Sequence, residues 1–201
     1  MNVRLQHSYN FLAGVYDEHE GVIFNEFDLT LYLITNSGDP IEQNIAFDRM
    51  THYIEHVVTN GIFIQSTSEA IPVLHKAGFR VITLPEVPYD QIIGLALYSK
   101  LSAIMEERIF ITDAEITSRN GKGIVYLHAA EESIGPFEMP GWWNDPALTY
   151  YDKKLPLGDK KVVSLTNNKK TWREYNLDWE AATDPADAES NVVVVKFDDK
   201  E

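Results

Sequence analysis

"VIFNEFDLTLYLIT", residues Val22 to Thr35, alternates with period two: Phe27, Leu29, Leu31 and Leu33 share one parity, and Glu26, Asp28 and Thr30 take the other. Successive side chains of a strand point to opposite faces, so this pattern is a strand with one dry and one wet side. Upstream, Val3 to Val15 has a β-rich composition, and the polar "DEHEG" between the two segments reads as a turn. Together they predict one long hairpin.

Downstream, "NSGDP" breaks the strand. Asp39 is a helix N-cap candidate, Pro40 suits the first helical position, and Glu42 sits three residues on as in a capping box. Ile41, Ile45, Met50, Tyr53, Ile54 and Val57 recur at helical spacing, and Asn60-Gly61 supplies a stop. Short segments follow at Ile62 to Gln65 and Phe79 to Leu84, around a helical turn at Glu69 to Lys76. A second helix is predicted from Tyr89 to Glu107, with Ile92, Ile93, Ala96, Leu97, Leu101, Ile104 and Met105 on its apolar side. Arg108 to Thr117 and Gly123 to His128 then flank "SRNGKG", a hairpin turn rather than a phosphate loop, since no helix follows it. The expected fold class is α+β: an antiparallel sheet in the order ββααββ, with two long helices on one face.

The composition changes near Ala130. All six histidines precede that point and all four tryptophans follow it. Residues 1–130 therefore read as an α+β domain, and 131–201 as an irregular, aromatic-rich extension that packs on the core or on a neighbouring subunit. "GWW" reads as packing, with base stacking as the other use of such rings. "VVSL" and "NVVVVKF" are strand candidates, and "DWEAATDPADAES" reads as a linker.

The 201-residue chain is 44% hydrophobic, 24% charged and carries a formal net charge of −14. Such a charge repels nucleic-acid phosphates and anionic membranes. The basic pairs Lys153-Lys154, Lys160-Lys161 and Lys169-Lys170 lie among acids and make no basic patch. No apolar run approaches the ~20 residues of a membrane span, and "MNVRLQHSYNF" lacks the apolar stretch of a signal peptide. A soluble cytoplasmic protein without nucleic-acid or membrane partners is expected. With no cysteine, thiolate metal sites and cysteine nucleophiles are excluded.

"THYIEHVVTNG", Thr51 to Gly61, places His52 and His56 four apart on one helical face. Three readings stand: ordinary helix histidines, a shared metal, or a proton-transfer group. The zinc-protease motif is absent, because Tyr53 follows His52 where that motif needs Glu. Asp113 and Glu115, two apart on a strand, share a face and could act as a carboxylate pair or simply be solvated.

Asp39-Pro40 at the helix opening, "IEHVVTN" at its end, "PYDQI" at the second helix and "AEIT" on the following strand appear in a meaningful order. On these residues the chain resembles the 6-pyruvoyl-tetrahydropterin synthase and 6-carboxytetrahydropterin synthase family, which has the tunnelling fold. That family ends its first helix near Leu-Asp-His-x-x-Leu-Asn, begins its second with Pro-Thr-x-Glu-Asn, and carries Glu-Thr on a strand whose carboxylate anchors the pterin. The resemblance covers roughly residues 1–130. It implies that His56, with Glu55, transfers protons, that Glu115 anchors a pterin or purine edge, and that Gln91 closes the pocket. The family's zinc is held by one histidine of the first strand and a His-x-His at the hairpin. Here His7 and His19 are the counterparts, an incomplete set, and the family's cysteine has none. A divergent member without a cofactor is therefore expected, zinc being disfavoured. It would bind a pterin- or purine-like heterocycle as a homo-oligomer, with lyase or synthase chemistry if it is an enzyme. The alternative is a non-enzymatic assembly or regulatory protein that reuses the fold.

Overall fold

The structure, a computed structural model, describes residues 4–148 and 171–180. The strand candidates "VVSL" and "NVVVVKF", the three lysine pairs and most of the expected linker lie outside the described residues.

The long hairpin is present as β1 (Arg4–Asp17) and β2 (Gly21–Thr35), paired without interruption from Arg4↔Ile34 to Asp17↔Gly21. Phe27, Leu29, Leu31 and Leu33 are at most 1% exposed, whereas Glu26 and Asp28 are exposed. Period-two patterning thus fixes the register, because a one-residue slip would put the whole apolar set in water.

Helix α1 (Pro40–Tyr53) begins at Asp39, whose carboxylate accepts the Ile41 N–H at 2.8 Å. Glu42 does not complete a capping box. It accepts instead from the Ser37 hydroxyl at 2.6 Å and lies 3.7 Å from Arg108. The helix then widens into a π-turn, Ile54–Val58, closed by Thr59 N–H to the Ile54 carbonyl at 2.8 Å. Asn60, at φ 61°, ends it in the left-handed region and donates its N–H to the Leu12 carbonyl of β1.

Between the two long helices the chain adds β3 (Gly61–Gln65), α2 (Ile71–Lys76) and β4 (Arg80–Leu84). The sheet order is β4-β3-β1-β2-β5-β6, with β3 parallel to β1 and β4 parallel to β3. The sheet therefore has six strands, the expected four and a parallel pair beside β1. The first four residues of β3 are buried, which suits a strand covered on both faces. Phe63 joins the main core, while Ile62 and Ile64 pack with Leu74 of α2 on the other side.

Helix α3 (Asp90–Met105) buries Ile93, Ala96, Leu97, Leu101, Ile104 and Met105. It lies so close to the sheet that a Cβ on Gly94 would stand 2.6 Å from Ile116 Cγ2. Strands β5 (Ile109–Ser118) and β6 (Tyr126–Ala129) complete the antiparallel side. In β5 the register shifts, with Ile111 opposite Leu33 but Asp113 opposite Tyr32. This bulge at Thr112 lets Ile109, Ile111, Ala114 and Ile116 all face the core. The result is an α+β architecture: a mixed sheet, antiparallel across β1, β2, β5 and β6 with a parallel pair beside β1, and two long helices on one face.

The chain after β6 is tied down by two buried cations. Lys100 of α3 is 0% exposed and donates to the carbonyls of Trp142, Asp145 and Ala147 at 3.1, 2.6 and 2.8 Å. Arg49 of α1 donates to the carbonyls of Leu177 and Ile104 and to Glu106, and lies over the rings of Trp179 and Trp172. The indole N–H of Trp172 reaches the Pro146 carbonyl at 2.8 Å and joins the two described parts of the extension. No helix among the described residues is long and apolar enough to cross a membrane.

Replacing Lys100 with Met would leave three carbonyls without their shared donor. Loss of a charged, buried hydrogen-bonding group costs about 3 kcal/mol or more. Denaturant melts should show that loss for Lys100→Met and no measurable change for the exposed Lys122→Met; equal stability of both variants would remove Lys100 from the account.

Candidate functional site

On β5, alternation sends Ala114 and Ile116 toward the helices and Asp113, Glu115 and Thr117 to the outer face. Glu115 is half-buried there. The Tyr32 hydroxyl of β2 donates to its Oε1 at 2.8 Å, a diagonal cross-strand contact. That bond holds the phenol proton and raises the Tyr32 pKa above its ordinary value. Glu115, Tyr32, Asp113, Leu127, His128 and Glu132 line a cleft of about 400 Å³ at the sheet margin.

Gln91, in the first turn of α3, lines a smaller adjoining cleft of about 90 Å³ with Gly94, Ala114 and Ile116. Leu127, His128 and Glu132 belong to both clefts, so β6 forms the wall between them. The structure thus brings Gln91 and Glu115 to neighbouring sides of one strand.

His56 and Glu55 lie elsewhere. Both are exposed on the π-turn at the end of α1, and neither lines the clefts beside β6. The His56 ring stands 4.5 Å from that of His52, which in turn packs 4.3 Å from Tyr175 of the C-terminal segment. Within one chain, His56 and Glu115 therefore do not share a pocket.

The incomplete histidine set, His7 and His19, is spread along β1. His7 sits near the start of β1 and His19 in the turn beyond its end, separated by roughly 30 Å of strand at the usual rise per residue. They cannot bind one ion within a chain. Among the described residues, no group of three or more His, Asp or Glu side chains is placed to hold a metal. His7 faces the core instead, its ring 4.5 Å from Tyr9 and 5.8 Å from Phe47. Burial lowers its pKa, and in the same region burial pushes the Tyr9 phenol up to about 12. His19 is exposed and donates its backbone N–H to Asp17 at 2.7 Å.

Sequence reasoning missed His128. In β6 it shares the inward parity of Tyr126, and it is 9% exposed. Its Nδ1 lies 3.6 Å from Glu132, and its ring meets the Tyr98 ring edge-on at 4.5 Å. The signal was present in "VYLHA", where a histidine takes the buried phase of a short apolar strand.

No protein-family model matches the chain, and no curated protein matches it. Among solved structures it is similar to an uncharacterized protein from Wolinella succinogenes, at 11% identity and a TM-score of 0.48, covering 65% of this chain and 99% of that one. It is also similar to 6-pyruvoyl tetrahydropterin synthase from Plasmodium vivax, at 11% identity and a TM-score of 0.41, covering 64% of this chain and 97% of that one. At such values the likeness reaches no further than the outline of the fold.

The packing of His7 sets a pH dependence. Its folded pKa lies below the unfolded 6.5, so its contribution to stability is complete above pH 6.5 and is lost as pH falls through the folded value. Urea midpoints at pH 7 and pH 5 should therefore fall further for the wild type than for His7→Leu. Identical acid slopes would mean that burial of His7 has no energetic consequence.

Proposed function

We propose that the protein binds a flat heterocycle of the pterin or purine type in the cleft beside β6, with Glu115 as its anchor. The supporting observation is a half-buried carboxylate, held by Tyr32, on the wall of a cleft of about 400 Å³. That volume is in the roughly 300–1,000 Å³ range of ligand pockets. One Glu115 oxygen accepts from Tyr32 and keeps a free lone pair, and the other oxygen has both. A pterin or guanine edge offers two adjacent N–H donors, which a carboxylate accepts side by side. Because Tyr32 already orients the side chain, little rotamer freedom is left to lose on binding. Leu127, 70% exposed, gives the ring an apolar neighbour.

Assembly is part of the same proposal. The outer face carries exposed Leu12, Phe24 and Phe110, and a sheet margin left open is a site for association. His56 and Glu55 would approach the cleft only from a second copy. A lyase or synthase step would use that pair for proton transfer, since an imidazole exchanges protons near neutral pH. No metal step enters, because His7 and His19 lie at opposite ends of β1.

Calorimetry with a panel of pterins and guanine derivatives tests the anchor. Glu115→Gln replaces one acceptor oxygen with a donor. Charge-assisted bonds contribute roughly 1.5–3 kcal/mol, so affinity should fall at least tenfold while the melting temperature stays put. A panel ligand that binds wild type and Glu115→Gln equally would place the anchor on another residue. Light scattering at micromolar concentration should give a multiple of the 22.9 kDa chain mass. A clean monomer would remove His56 from the site. A multimer that binds no panel member would turn the reading toward a non-enzymatic assembly protein.

A further inference from the structure

On the helix-covered side of the sheet, where α3 begins, Asn25 of β2 takes the same inward phase as Phe27 and is 7% exposed. Its Oδ1 accepts the Asn120 N–H at 3.2 Å, and that bond fixes which way the amide points. Its Nδ2 then has no partner among the described residues, although buried polar groups are nearly always paired. Asp90, the first residue of α3, accepts the Ser118 hydroxyl on its Oδ2 at 2.6 Å. Ser118, inward-facing opposite Phe27, in turn accepts the Gly121 N–H at 3.1 Å. Consecutive N–H groups of one turn, those of Asn120 and Gly121, therefore hold both polar side chains in place, one directly and one through Ser118. A Cβ on Gly121 would stand 2.7 Å from Asp90 Oδ2, so a glycine is what lets the turn come this near. Asn25 and Asp90 line one cleft of about 360 Å³, whose apolar part is Val15, Ile23, Ile124 and Tyr126. Tyr89, 67% exposed, lines it as well.

We infer that this cleft is a second binding site, which takes a small uncharged molecule by a primary carboxamide. The Asn25 Nδ2 donates to the carboxamide oxygen, and Asp90 Oδ1, which the Ser118 bond leaves unused, accepts from the carboxamide N–H. The two charges that line the cleft, Asp90 and Lys122, cancel, which suits a ligand without net charge. A carboxylate in the same place would set acceptor against the acceptor of Asp90, and an amine would leave the Asn25 N–H unpaired. Each is discriminated against for that reason. A flat apolar body carried by the carboxamide lies against Tyr89 and Ile124, and the volume is within the range of ligand pockets. Glu115 points to the outer face of the sheet, whereas Asn25 and Ser118 point to the inner one, so neither site depends on the other.

Benzamide is the probe, titrated against the full chain by ligand-observed NMR. N,N-dimethylbenzamide lacks the N–H, benzoate replaces it with a second charged acceptor, and benzylamine lacks the carbonyl. Wild type should bind benzamide and take each counterpart roughly tenfold more weakly. Asn25→Asp keeps the acceptor for the Asn120 N–H and exchanges Nδ2 for an oxygen, so benzamide affinity should fall roughly tenfold. Asp90→Asn should lower it similarly, because a donor then faces the carboxamide N–H. Glu115→Gln should bind benzamide as wild type does. If Asn25→Asp does not fold, Asp90→Asn decides: wild-type affinity for benzamide in that variant overturns the inference. Equal binding of benzamide and N,N-dimethylbenzamide, or of benzamide and benzoate, overturns it too. So does a wild type that shows no benzamide binding up to the solubility limit, or binding that is lost in Glu115→Gln and kept in Asn25→Asp.

Discussion

Two positive charges buried under the C-terminal extension set the arrangement of the rest. A lysine and an arginine removed from water are unfavourable unless their protons are taken up. Lys100 meets three carbonyls of one loop, and Arg49 meets two carbonyls, one carboxylate and two indole faces. These partners come from the chain after β6 and from the end of α3. The described parts of the extension therefore pack on α1 and α3, and they do so by supplying what the cations lack. Its tryptophans are consistent with that task. Trp142 and Trp172 each give an N–H to a backbone carbonyl while their rings join the core margin.

With the helix layer closed in this way, polar chemistry is left to the other face and to the margin of the sheet. The inner face of β2 and β5 is hydrocarbon from Phe27 to Ile116, whereas the outer face carries Tyr32, Asp113 and Glu115. β6 is the exception. It is four residues long, and its inward position holds His128 at the point where the core ends and the clefts begin.

Much of the fold was legible because the residues repeat. The hairpin could be read from Phe27, Leu29, Leu31 and Leu33, and α1 from Asp39 and Pro40, since both patterns reflect local rules. The sheet was undercounted because β3 and β4 are short apolar runs without alternation, and their parallel partners lie far along the chain. The bulge at Thr112 was invisible, since only its pairing with Tyr32 and Leu33 reveals it. For the site, Glu115 and Gln91 were singled out by a family resemblance in their order along the chain, and each lines a cleft beside β6. His7 and His19 were named as counterparts of the family's strand and hairpin zinc histidines, and the length of β1 separates them. His128 escaped because its one signal, the buried phase of the short strand "VYLHA", is carried by a single residue without a partner at a motif spacing.

The π-turn at the end of α1 has a further consequence for how the molecule moves. Helical turns closed by bonds to the fifth residue are rare and occur mostly as single turns within an α-helix. Here that turn is stitched to β1 through Asn60 and Leu12, while its outward side carries Glu55 and His56. Its backbone is thus fastened to a strand paired along its whole length with β2, yet these two side chains remain in solvent. A segment built this way can reorient its side chains without disturbing the core, so a visiting surface would meet a firm scaffold bearing an adaptable pair of ionisable groups.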